Sequence, residues 1–187
     1  MELNLSQWLV IGICAVLLVG YIFGYYYNRQ KAERVLAWLR PGLEKWGAVG
    51  TGEKLPGMVT GGHLIVPKAS GPFQSIEAVY LLAPRDNLFF WLFHSLQGRG
   101  DELVLKISLP KAPKARLEAK RRWPTNFTYQ GQGAEEHWAA FLRRHSRAVA
   151  HAVLRREAPH LFVRINLSPL MEESAGVFLN SLSELIP

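Results

Sequence analysis

From Trp8 to Tyr27 the chain reads WLVIGICAVLLVGYIFGYYY, 20 residues without a charge. A helix rises 1.5 Å per residue, so about 20 residues cross the ~30 Å hydrocarbon layer of a membrane. Within that layer each backbone polar group needs an internal partner, which a helix supplies. Trp8 stands at one end and Tyr25, Tyr26 and Tyr27 at the other, where amphipathic rings prefer the interface. A cleaved signal peptide would show a shorter apolar region, a basic start and an A-x-A-like site. Here the start is MELNLSQ, with an acid and no base, and no such site follows. The stretch therefore reads as an uncleaved anchor, residues 8–27, preceded by a short extracytoplasmic terminus, residues 1–7.

Arg29, Lys31, Arg34 and Arg40 follow the anchor and no base precedes it. The positive-inside rule then puts the N-terminus outside, or in a lumen, and the rest in the cytosol. Of the three N-x-S/T sites, Asn4, Asn126 and Asn166, the last two should stay unglycosylated. Gly20 and Gly24 form a G-x-x-x-G step that lets two helices approach, although a lipid-facing glycine is the commoner outcome. All 22 Lys and Arg and all but one of the 15 acids follow the anchor, so the tail is more basic than the chain's net +7. Such an excess favours anionic surfaces: lipid headgroups, RNA or an acidic protein. The single cysteine, Cys14, lies in the anchor and excludes an intrachain disulfide and a cysteine metal site.

Residues 28–62 read as a juxtamembrane helix and a glycine-rich connector, with Val35, Leu36 and Leu39 on one side and Pro41 stopping or kinking the helix. The segment Gly52-Glu53-Lys54-Leu55 lacks the Ser or Thr and the preceding strand of a P-loop. Residues 63–187 read as a cytosolic α/β domain. Strands are expected at 63–66, 75–82, 102–110 and 160–167, with 115–123 as an antiparallel partner of 102–110. Asp86 is expected to cap an almost wholly apolar helix, DNLFFWLFHSLQ. Trp138, Phe141, Leu142, His145, Val149 and Val153 recur at helical spacing and predict one long helix over 134–155. Pro169 is a break, and an amphipathic helix closes the chain. The expected fold is α+β, an antiparallel or mixed sheet with helices on it, in the ferredoxin-like βαββαβ order.

The stretch YLLAPRDNLFFWLFHSLQGRGDELVLKISL resembles the cytosolic domain of the calumin family, endoplasmic-reticulum proteins of the multipass translocon. The shared pattern is a strand, a basic residue with Asp or Asn opening an apolar helix, then an acid leading a strand with Lys in mid-run. GLEKWGAVG and HLFVRINLSPL…SAGVFLNSLSELI are similar to that family's turn after the anchor and its final strand and helix. The likeness runs through most of residues 28–186 as patterns. It implies a non-enzymatic factor of membrane-protein biogenesis, a minimal relative without the family's acidic lumenal region and C-terminal coiled coil. Calcium binding and the coiled-coil reach toward the ribosome do not carry over.

Chemistry-bearing patterns are few. His145 and His151, six apart, do not share a helix face as metal ligands four apart would. His145 falls on the apolar stripe, where a hydrogen-bonded core histidine is the ordinary outcome. No G-x-S-x-G is present, and the only aspartates, Asp86 and Asp101, read as a cap and a turn. No catalytic residue, cofactor, metal or small-molecule substrate is therefore expected, and a membrane-anchored enzyme with a site assembled from distant residues stands as a further alternative. Lys111, Lys114, Arg116, Lys120, Arg121 and Arg122 form one basic run. Arg143, Arg144, Arg147, Arg155 and Arg156 are expected on the polar face of the long helix beside it. Together they are a candidate patch for an anionic partner, lipid or RNA, or a solvated face. Phe89, Phe90, Trp91 and Phe93 are a candidate apolar partner surface, against other elements or a membrane. The expected partners are the bilayer, translocon or insertase components, the ribosome, or anionic lipid.

Overall fold

The computed structural model describes residues 4–51, 61–98, 100–122, 126–132 and 135–186. The segment 52–55 and position 123, the end of the strand expected at 115–123, lie outside these residues. Helix α1 runs unbroken from Leu5 to Glu44, 40 residues that include the whole apolar stretch. It is the one helix among the described residues long and apolar enough to cross a membrane. Pro41 does not stop it: Gly42 and Leu43 beyond the proline are still helical and buried. The two ends of α1 differ sharply. Its first half is exposed nearly throughout, whereas Val35, Leu39 and Leu43 are buried at helical spacing in the domain core. Leu36 packs partly buried against that core.

Among the described residues, eight strands form one antiparallel sheet: β1 (Gly50–Thr51), β2 (Gly61–Val66), β3 (Ser75–Leu81), β4 (Glu102–Ser108), β5 (Arg116–Arg122), β6 (Asn126–Gln132), β7 (Val149–Leu154) and β8 (Leu161–Asn166). Their spatial order is β1-β2-β3-β4-β8-β7-β5-β6. The remaining helices are α2 (Leu88–Leu96), α3 (Glu135–Arg144), α4 (Leu167–Leu170) and α5 (Ala175–Ser183). The fold is α+β, as the alternation in residues 102–110 leads one to expect: Leu103, Leu105, Ile107 and Leu109 are buried. Alternation also places Ile76, Ala78 and Tyr80 of β3 and Leu161, Val163 and Ile165 of β8 on the same buried face. Trp138, Phe141 and Leu142 of α3, Phe178, Leu179 and Leu182 of α5 and the stem of α1 join them in one cluster.

The ferredoxin-like order is not found. β3 and β4 lie side by side and antiparallel, so α2 is an excursion from a hairpin and not a crossover. β5 does not pair with β4. It lies between β6 and β7, while β4 takes β8 as its second neighbour. The expected long helix ends at Arg144, and its second half is strand β7, hairpinned to β8. Pro169 sits inside the short helix α4. Asp86 is not the cap of α2: Asn87 is, its side chain accepting from the Phe90 N–H at 3.2 Å.

Candidate membrane-proximal site

The segment between β3 and α2 climbs along α1 one turn at a time. Asn28, buried at the end of the tyrosine run, donates from Nδ2 to the Ala83 carbonyl at 3.0 Å. One turn up, a Cβ on Gly24 would overlap the Arg85 carbonyl oxygen, so only glycine admits that backbone. One turn further, the space over Gly20 is filled by the Leu88 side chain. The G-x-x-x-G step thus receives a segment of its own chain.

A carboxylate fastens this seat. Asp101, its side chain 1% exposed, lies just before β4. Its Oδ1 accepts from the Ala83 N–H and from Arg85 Nη1, both at 2.8 Å, and its Oδ2 from Arg85 Nη2 at 2.9 Å. Lys31 of α1 pairs with the same carboxylate. Arg85 also donates to Asn28 Oδ1 at 3.1 Å, and its guanidinium lies 5.0 Å from the Tyr27 ring centre. Burial alone would raise the Asp101 pKa. The hydrogen bonds from Arg85, Lys31 and Ala83 outweigh it and hold the group below the usual carboxylate value. The bidentate guanidinium and two further donors satisfy a buried charge that would otherwise be costly. In the sequence Asp101 reads only as a turn, Arg85 only as the basic residue before the apolar helix, and Asn28 carries no signal. Lys31, expected among the flanking bases that set topology, is drawn into this clamp. Arg29, Arg34 and Arg40 remain exposed, with Arg29 3.5 Å from Glu33.

Held this way, α2 is only lightly covered, with Leu88 and His94 half-buried. No residue of it is buried. Phe89 is 71% exposed and Leu96 79%, with Phe90, Trp91, Leu92 and Phe93 also open. The four residues expected as an apolar partner surface are all exposed, Trp91 least of them at 38%. Trp8, Tyr25, Tyr26 and Tyr27 are exposed on α1, with Tyr21 stacked on Tyr25 at 6.3 Å.

The basic residues do not share one helix face. Arg143 and Arg144 end α3, Arg147 lies in the turn after it, and Arg155 and Arg156 lie in the β7–β8 connection. Arg121 donates to the carbonyls of Ser146 and Arg147, at 3.3 and 2.8 Å, and Arg143 Nε to Ala139 at 3.2 Å. Lys111, Lys120 and Arg122 are exposed. Lys114, Arg116, Arg155 and Arg156 converge, with Gly131 and Glu157, around a cavity of ≈ 530 Å³. Their Arg155 also borders a second cavity, of ≈ 670 Å³, over Glu77, Lys106 and Phe162 on the open face of the sheet.

His145 is a buried core histidine, as expected, but it stands in a line of three. Its Nδ1 is 3.0 Å from Glu173 Oε1 and its Nε2 3.1 Å from Ser181 Oγ. Burial, aided by Arg144, lowers its pKa against the opposing pull of Glu173. Nucleophile, base and acid follow each other here as in acyl-transfer enzymes. Such chemistry also requires an open serine and unpaired N–H donors for an oxyanion. Ser181 is 8% exposed, sits within α5, and donates its hydroxyl to the Phe178 carbonyl at 2.7 Å. The three groups join the end of α3 and the turn before α5 to the middle of α5. Among the described residues no three His, Cys, Asp or Glu side chains gather as metal ligands would. In comparison with known proteins, no family model matches the chain, and no curated protein matches it.

Proposed function

We propose that this chain is a non-enzymatic single-pass membrane protein, with its N-terminus outside or lumenal and its sheet domain in the cytosol. It acts as an adaptor or chaperone-like factor in the biogenesis of other membrane proteins. One observation carries this reading: an outward-facing aromatic helix is fixed, by a buried carboxylate clamp, beside the apolar part of α1. A surface held at that level is placed to meet apolar segments of other proteins as they enter the bilayer. The resemblance to the calumin family points the same way. The exposed Arg29, Arg34 and Arg40 support the orientation. The enclosed, already donating Ser181 hydroxyl supports a structural role for the His145 line.

Affinity capture of the full chain in mild detergent tests the reading. Translocon, insertase or ribosomal components should be recovered. Recovery should fall when Phe89, Phe90, Trp91 and Phe93 are all changed to Ser. Recovery of none of them beside a working positive control, or recovery indifferent to the four substitutions, overturns it.

A second reading rests on the convergence of Lys114, Arg116, Arg155 and Arg156 on one cavity. Four bases against Glu157 suit a phosphate-bearing polyanion, whether an anionic lipid surface or RNA. Such binding would weaken steeply with salt and with Arg116→Glu.

A further inference from the structure

The contacts between α1 and the segment leading to α2 read as a depth gauge. Ala83 meets Asn28, Arg85 meets Gly24, and Leu88 meets Gly20. Each step moves one turn away from the basic flank and into the apolar stretch. Gly20 precedes Tyr27 by seven residues, about 10 Å of helix. If the tyrosines mark the interface, α2 begins well inside the hydrocarbon layer. Its chemistry agrees with that depth. From Asn87 to Gln97 there is no charged residue apart from what His94 can carry, and Leu88 to Phe93 are apolar without interruption. Helices that lie flat on a membrane carry a basic polar face; α2 has none.

We propose that α2 is a second membrane-inserted element, entering the leaflet at the foot of α1 and surrounded there by lipid acyl chains. Nine residues rise about 13 Å, far short of ~30 Å, so α2 turns back within one leaflet. Backbone groups at that depth must be paired internally. The Asn87 side chain takes the Phe90 N–H, and the N–H groups of Gln97 and Gly98 return to the carbonyls of Phe93 and Ser95. The occupant is lipid because of that depth and that lack of charge. Phe89, Phe90, Leu92, Phe93 and Leu96 are open and no residue of α2 is buried, while Leu88, Trp91 and His94 make its less open side. The span and α2 would then grip the bilayer at two points, which fixes the rotation of the domain about the membrane normal as well as its distance.

This inference rests on the proposed reading that α1 spans the membrane, and the experiment separates the two. The full chain, with Cys14→Ser, is reconstituted in phosphatidylcholine vesicles with a nitroxide at one introduced cysteine. The sites are Val16→Cys in the span, Phe90→Cys and Phe93→Cys in α2, and Lys111→Cys as an aqueous reference. Collision of the label with oxygen, which concentrates in lipid, is compared with collision with a water-soluble nickel chelate. Positions 16, 90 and 93 should be open to oxygen and several-fold less open to nickel than position 111. Nickel access at 90 and 93 equal to that at 111, with 16 still protected, overturns the insertion of α2 and leaves the span standing. Protection of 90 and 93 from both reagents assigns the surface to protein and also overturns it. Nickel access at 16 removes the span, and the inference with it.

Discussion

Helices α2 and α5 are each nine residues long, each apolar, and each capped by a polar side chain, Asn87 in one and Ser174 in the other. α5 buries Ala175, Gly176, Phe178, Leu179, Ser181 and Leu182 and turns Val177, Asn180 and Ser183 outward. α2, the more uniformly apolar of the two, buries nothing. Apolar content thus does not decide what a protein core accepts. α5 has a polar stripe that water can keep, so its other face can close on the sheet. α2 has no stripe to give to water, and its start is tied to α1 instead of to the sheet.

The largest expected effect separates these helices directly. Phe178→Ala in α5 should lower stability by about 3–5 kcal/mol through lost transfer energy and a cavity. Phe90→Ala in α2 should stay within about 0.5 kcal/mol, as for an exposed site. Denaturant unfolding in the same detergent reads both, and equal losses would erase the distinction. Asp101→Ala should cost somewhat less than Phe178→Ala, about 2–3 kcal/mol, because it leaves the half-buried Arg85 and Lys31 and the Ala83 N–H without their partner. It should also free the segment 83–88 from α1, seen as faster amide exchange at Ala83 and Arg85 with α5 unchanged. If α5 loosened equally, the clamp would be part of the core and not a separate fastening.

The smallest effect is one of pH. Burial lowers the His145 pKa in the folded chain below its ordinary 6.5. The unfolded chain therefore binds the proton more readily, and folding stability falls as pH drops below about 6.5. His145→Gln should flatten that dependence around the α5 side of the core. The Asp101 clamp, its pKa also lowered, contributes fully above about 3.8 and weakens only in stronger acid. A stability curve flat between pH 7 and 5 would remove His145 from the account.

The long apolar helix, β2, β3, β4 and β8 are legible because uninterrupted apolarity and period-two alternation are local signals. The stretch 145–154 was not. A register irregularity between Val149 and His151 puts Val149, Ala152 and Leu154 on the buried face, and that uneven spacing mimics a helix. The neighbours of β5 were hidden for a different reason: a strand can skip its sequence neighbour when a later one, here β8, pairs better with β4. In the candidate site, the exposed rings of α2 could be read directly from the sequence. Its fastening could not, since Asn28, Lys31, Arg85 and Asp101 meet only after α1 and the β3–β4 excursion have packed. What the sequence did offer was scarcity, with two aspartates in 187 residues.

The unbroken length of α1 has a mechanical meaning. Forty helical residues make a rod of about 60 Å. Its lower part is gripped twice, by the Asp101 pair and by the core around Val35, Leu39 and Leu43. For a chain that spans as proposed, no hinge separates the segment in lipid from the sheet. A membrane helix meets a thinner bilayer by tilting. Here the sheet must tilt through the same angle, carrying the Arg116 and Arg156 end of the domain toward or away from the membrane surface. Bilayer thickness would thereby set the attitude of the domain's charged end.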